Sequence, residues 1–166
     1  MGTGKSTVGK RVARSLDSSF VDTDEEIVKR EKKPISRLFE EHGEEEFRKI
    51  ETEVLAECCR GEGQVIATGG GVVTQSENHS ILKDGGYVIW LKASPGVIYE
   101  RVRRNHQRPL LETDDPEKTI RELLLSREHF YESCADLTIF TDDLSLEETI
   151  YGVTETARYR GLDGRI

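Results

Sequence analysis

The chain opens on Met1-Gly2-Thr3-Gly4-Lys5-Ser6-Thr7. Gly2 and Gly4 let a backbone approach an anion closely. N–H groups from Gly4 onward begin a helix and point at that anion. Gly4-Lys5-Ser6 match the end of G-x-x-x-x-G-K-[ST], the loop that cradles the phosphates of a nucleotide. In that pattern Lys5 reaches the β- and γ-phosphates of ATP and Ser6 holds Mg²⁺. A flexible Gly/Ser terminus is the plain alternative. The loop's opening glycine would lie ahead of Met1, as would the strand that feeds it. We therefore expect Met1 to be an internal methionine of a protein that starts about ten residues earlier with an apolar strand.

Asp22-Thr23-Asp24 follows the short apolar pair Phe20-Val21. Alternation along an extended backbone places both aspartates on one side. One would organise Mg²⁺ through water, and the other would accept a hydrogen bond from an attacking hydroxyl. Asp24 equally suits the N-cap of a helix. Arg127 lies seven residues after Ile120, on the helical face of Ile120, Leu123 and Leu124. An inward arginine needs a partner, either a substrate carboxylate or an internal one. Arg48 stands three residues before Glu51, so Glu51 can hold it towards a ligand carboxylate, or the two can form a surface ion pair.

Gly69-Gly70-Gly71 closes an apolar run and offers close approach with N–H donors, or an ordinary turn. From Arg101 to Arg108 the sequence is strongly basic, then reads Arg108-Pro109-Leu110-Leu111 before the acidic stretch 112–117. A basic run is often a solvated helix face. This one has the composition of a lid that closes Arg108 over phosphates.

These residues must be positioned by a common frame. Apolar, β-branched runs near 20–21, 65–68, 87–91 and 137–140 alternate with helical patterns near 5–16, 36–60, 95–104, 116–133 and 145–158. That alternation predicts an α/β fold with a parallel sheet covered on both faces. Ligands then sit at the carboxyl ends of the strands, where Asp22, Asp24 and the three glycines fall.

A length of 166 residues suits one domain, and no repeat or linker divides the sequence. A net charge of −8 argues against nucleic acid as partner. Three cysteines, with Cys58 and Cys59 adjacent, give neither a disulfide framework nor a metal spacing, which points to the reducing cytoplasm. The scattered histidines read as surface or packing residues. The sequence contains no signal peptide and no apolar run of membrane-spanning length, so no membrane partner is expected. The acidic, evenly charged surface is read as that of a monomer.

Together the motifs GTGKST at 2–7, DTD at 22–24, FEEHGEEEFRKIE at 39–51, TGGG at 68–71, RPLL at 108–111 and SREHFY at 126–131 resemble the shikimate kinase family, in that family's order. The resemblance implies a three-layer P-loop kinase fold with a central parallel sheet, similar to nucleoside-monophosphate kinases. It would form one domain over 1–166 lacking its N-terminal strand, with a substrate-binding region at about 22–60 and a lid at about 104–117. It implies ATP-dependent phosphorylation of the 3-hydroxyl of shikimate in the chorismate route to aromatic amino acids.

By the same resemblance, Lys5, Asp24 and Arg108 are catalytic. Gly2, Thr3, Gly4, Lys5, Ser6, Thr7, Arg101 and Arg108 bind ATP. Asp24, Arg48, Gly69, Gly70, Gly71 and Arg127 bind shikimate, and Ser6 and Asp22 serve Mg²⁺. The family commonly has a proline before the tyrosine of the last motif; here Arg127 is followed by Glu-His-Phe-Tyr, and Tyr131 is expected to keep a packing role. Rival readings are a gluconate-type or other small-molecule kinase, and a non-catalytic nucleotide-binding homologue. The two inward arginines favour an acid as substrate.

Overall fold

The computed structural model describes residues 2–103 and 115–162. The element order is α1 (Lys5–Ser15), β1 (Ser19–Asp22), α2 (Thr23–Glu31), α3 (Ile35–Cys58), β2 (Gln64–Ala67), a 3₁₀ turn (Val72–Thr74), α4 (Ser76–Gly85), β3 (Ile89–Lys92), α5 (Pro95–Val102), α6 (Pro116–Cys134), β4 (Leu137–Phe140) and α7 (Leu146–Tyr159). The expected strands and five expected helices are all present.

Two helices were not expected. In α2 the Asp22 side chain caps the helix by accepting from the Asp24 N–H at 3.0 Å, and Asp24, Glu25 and Glu26 complement the positive end of the helix dipole. Only Thr23 and Ile27 are buried along it, so its apolar period is too faint to read. Helix α4 is equally quiet, burying Asn78 and Leu82. The expected stretch 36–60 is broken by Gly43, at φ 77° and ψ 175°.

One local expectation is corrected. Asp22 ends a strand, whereas Asp24 sits in the first turn of α2, so strand alternation does not relate them. The cap is Asp22, not Asp24. Most of the region expected as a lid, including Arg108, lies outside the described residues. Its last part, 115–117, is the start of α6, capped by Asp115 with Pro116 in the first turn.

The strands run parallel, as expected. They form two separate pairs: β1 beside β2, with Ser19 opposite Gln64 and Asp22 opposite Ala67, and β3 beside β4, with Ile89 opposite Leu137 and Lys92 opposite Phe140. Beneath both pairs lie Val8, Val12 and Leu16 of α1 with Ile150 and Ala157 of α7, against which Val65, Ile89 and Ile139 pack. On the opposite side Leu55, Leu82 and Cys134 bring α3, α4 and α6 together. Ile27, Leu38, Phe47 and Val54 fasten α2 to α3, and Ile98, Val102 and Ile120 fasten α5 to α6. Each fully buried Leu or Ile stabilises by about 2 kcal/mol. The Ile27 contact is therefore a main tether of α2, and with it of Asp24.

Candidate active site

Gly2 and Gly4 adopt φ of 69° and 85°, a region that L side chains enter only with strain. Gly4 is the N-cap of α1 and supplies no capping side chain, and the first turn carries no acid. The N-terminus of α1 is therefore left to attract an anion from outside. Ser6 Oγ donates to Asp22 Oδ2 at 2.6 Å, while Asp22 Oδ1 accepts the Asp24 N–H. This places a hydroxyl and a carboxylate side by side beside the loop. Such hard oxygen donors fit Mg²⁺, which keeps waters and phosphate oxygens in its remaining positions and needs no protein cage. Among the described residues no cluster of three His, Cys, Asp or Glu side chains could supply such a cage.

Alongside the loop lies a cavity of about 380 Å³ whose walls include Gly2, Gly4, Thr7, Arg101 and Leu146. Arg101 is fixed there by Thr141, donating from Nη1 to Thr141 Oγ1 at 3.1 Å and from Nη2 to the Thr141 carbonyl at 2.8 Å. Arg101, expected to bind the nucleotide, thus stands next to the loop.

A second group gathers around the glycine triplet. Arg48 and Glu51 are both buried on α3, at 8% and 1% exposure. Arg48 Nη1 donates to Glu51 Oε2 at 2.6 Å, and Nη2 donates to Glu44 Oε1 at 3.0 Å. The guanidinium also lies 5.4 Å from the Phe47 ring centroid. A surface ion pair is excluded by this burial. Burial pulls the Arg48 guanidinium down, but Glu51 and Glu44 more than offset it, leaving Arg48 above its ordinary value. Burial pushes the Glu51 carboxyl up; Arg48 opposes this and the nearby Asp24 adds to it.

The triplet is shaped by these neighbours. A Cβ on Gly69 would lie 2.7 Å from both Asp24 Oδ1 and Glu51 Oε1, and one on Gly71 would strike the Arg48 guanidinium. The Gly69 N–H is already taken, donating to Thr23 Oγ1 at 3.1 Å, so it does not serve as a spare donor. The Gly70 carbonyl accepts from Arg127 Nη1 at 3.2 Å and from the Tyr131 hydroxyl. Arg127 thus meets a backbone carbonyl, with Glu51 near enough to feel its charge.

Tyr131 does more than pack. Its ring stacks on Trp90 at 5.2 Å, and burial raises its hydroxyl's pKa, opposed by the Arg127 cation. Its role was legible only as the residue one helical turn beyond Arg127. Glu44, one turn before Arg48, was not singled out from the sequence as a partner of Arg48. Lys5 lines a larger cavity together with Gly69 and Gly70, so the loop and the triplet share one space.

A glycine-lined loop opening a helix, its serine bonded to the aspartate that ends a neighbouring parallel strand, and a carboxylate–arginine pocket beyond it define a small P-loop kinase. The family model described as shikimate kinase matches residues 1–158. A curated shikimate kinase from Caldanaerobacter subterraneus subsp. tengcongensis is 46% identical over 165 residues, 99% of this chain and 95% of the relative. The solved shikimate kinase of Acinetobacter baumannii in complex with shikimate superposes with a TM-score of 0.91 at 36% identity, over 98% of this chain and 90% of that one. That of Bacteroides thetaiotaomicron gives 0.87 at 32% identity, over 95% and 94%. The chain belongs to the shikimate kinase family.

Proposed function

We propose that the chain transfers the γ-phosphoryl group of ATP to the 3-hydroxyl of shikimate, giving shikimate 3-phosphate and ADP. The observation that carries this is the convergence of Arg48, Arg127 and Asp24 on the glycine triplet, whose Gly69 and Gly70 line one cavity with Lys5. Two guanidinium groups suit the carboxylate of a small acid, and Arg48 is oriented for it by Glu51 and Glu44. Asp24 suits a hydroxyl. A neutral acceptor would use neither arginine, so the two arginines favour a small acid; gluconate is also a carboxylate, and the choice of shikimate over it rests on the family.

The acceptor oxygen forms a bond to the γ-phosphorus as the bond from that phosphorus to the β-phosphate oxygen breaks. Asp24 orients the hydroxyl and takes its proton. Lys5 and the N–H groups opening α1 hold the phosphates, and Arg108 brings further positive charge to the transferring group. Gly2, Thr3, Thr7 and Arg101 bound the nucleotide. Ser6 and Asp22 would hold Mg²⁺, which when bound neutralises charge on the phosphates. Positioning and charge neutralisation supply most of the rate. We read the protein as a cytoplasmic monomer; among the described residues no helix is long and apolar enough to cross a membrane.

The test is ADP release, coupled to a spectrophotometric readout, with and without shikimate. Shikimate-dependent release is expected. ADP release that ignores shikimate, or that gluconate stimulates instead, would overturn the assignment.

A further inference from the structure

A guanidinium presents its N–H donors as a rigid planar fork that carboxylates meet edge-on. Two carboxylates already hold that of Arg48. Glu51 accepts from Nη1 at 2.6 Å. Glu44 accepts from Nη2 at 3.0 Å and from Nε at 3.3 Å, both through Oε1. The two acids differ in their surroundings. The Glu51 side chain is 2% exposed, and the Glu44 side chain is 67% exposed. Glu51 is thus fixed in the interior, whereas Glu44 reaches the same cation from solvent.

The other sides of the guanidinium are closed. A Cβ at Gly71 would overlap it, and the Phe39 and Phe47 rings lie 5.9 and 5.4 Å from its Cζ. The Nε–Nη2 edge is the side on which an exposed group meets Arg48, and Glu44 covers it. Chain geometry puts Glu44 there. Gly43 breaks α3 with a non-helical backbone, so Glu44 opens the helical run that carries Arg48 one turn later.

Charge makes this arrangement competitive. Near Arg48 and Glu51 stand Asp24 and Arg127 as well as Glu44. Among these side chains the carboxylates already outnumber the guanidinium groups. An incoming carboxylate would add another negative group beside Glu44, at the edge Glu44 already uses. Exposed ion pairs are weak, so Glu44 is the partner that yields.

We propose that Glu44 is a built-in placeholder for the substrate carboxylate. It holds the Nε–Nη2 edge of Arg48 in the ligand-free chain and turns out into solvent when the acid binds. The inference rests on the reading that Arg48 binds an acid, and it adds a specificity-determining residue to that reading. Until it is displaced, Glu44 keeps Arg48 oriented. A neutral ligand leaves Glu44 in place and gains nothing from Arg48. A stray small anion has to compete with a tethered carboxylate. The cost is part of the substrate's affinity, because only the fraction of chains with Glu44 turned away is ready to bind.

The test titrates shikimate calorimetrically into the parent chain, Glu44→Gln, Glu44→Ala and Glu45→Gln. Glu45 is the next residue, 90% exposed and bridged to Lys49 rather than Arg48. Its variant therefore removes the same charge without touching the site. The dissociation constant for shikimate is expected to fall roughly two- to fivefold in both Glu44 variants, as release of an exposed pair predicts. It is expected to stay at the parent value in Glu45→Gln.

The direction of the change separates a placeholder from a fixed support. Unchanged or weaker binding in both Glu44 variants would overturn the proposal and make Glu44 a permanent brace for Arg48. An equal gain in Glu45→Gln would also overturn it, as an effect of net charge alone. In either case shikimate still binds the parent, and the substrate reading stands. Binding of shikimate to none of the four chains would overturn the substrate reading itself, and the placeholder with it.

Discussion

Arg48 and Glu51, one turn apart on α3, meet at 2.6 Å with both side chains buried. The same guanidinium occupies the space a Cβ at Gly71 would need. This pair joins α3 to the glycine triplet. Removing one partner of a buried ion pair leaves an uncompensated charge and costs about 3–5 kcal/mol.

Glu51→Gln keeps the shape of the side chain and removes the charge that orients Arg48. Hydrogen bonds to charged groups contribute about 1.5–3 kcal/mol, so the KM for shikimate is expected to rise roughly 10- to 100-fold. The KM for ATP should stay within about twofold, because the cavity proposed for the nucleotide lies against α1 and α5. Initial rates with each substrate varied in turn make the comparison. Equal increases in both constants would mean that Glu51 serves the fold alone.

Glu51 also gives stability a pH signature. Its folded pKa is raised, chiefly by burial, so in the folded state it holds its proton to higher pH than in the unfolded chain. Its contribution is fully present below the ordinary carboxylate value and is lost as pH rises through the raised value. Glu51→Gln lacks that titration. The difference in Tm between parent and variant should therefore shift against the parent as pH rises through this window. A constant difference across it would refute the assignment.

Asp24→Asn preserves size and, in the proposed reaction, withdraws the acceptor for the substrate proton. Loss of a general base costs roughly 10²- to 10⁴-fold in kcat. The dissociation constant for a fluorescent ADP analogue should be nearly unchanged. Matching losses in turnover and nucleotide binding would make Asp24 a structural residue.

The glycines are separable by steric environment. Gly71→Ala drives a methyl into Arg48, and Gly69→Ala drives one between Asp24 and Glu51, so both should impair use of shikimate by about tenfold or more. Gly96→Ala meets nothing within 4 Å inside α5 and should be neutral or slightly stabilising. Steady-state kinetics and melting curves on the three variants would show whether the order holds.

Arg101→Ala removes two bonds to Thr141 at the wall of the cavity beside the phosphate loop, the one proposed for the nucleotide. ATP affinity is expected to fall about tenfold, with the KM for shikimate little changed. Isothermal titration with a non-hydrolysable ATP analogue measures the first, and initial rates the second.

The sequence by itself determined what is encoded over one or two turns. Gly2 and Gly4 announce a loop because only glycine enters their φ region cheaply, and the Arg48–Glu51 and Ile120–Arg127 spacings announce shared helical faces. The four strands were legible from their apolar runs. Helix α2 was not, since one buried apolar residue leaves no period to detect. Tertiary structure decided the pairings between distant segments. Tyr131 reaches Gly70 across 61 residues, Thr23 takes the Gly69 N–H across 46, and Thr141 fixes Arg101 across 40. It also decided that the sheet stands as two pairs around an apolar slot. Local patterning fixes which face of an element is apolar, but which backbone edge meets which, and which polar group finds its partner, depends on how all the elements pack together.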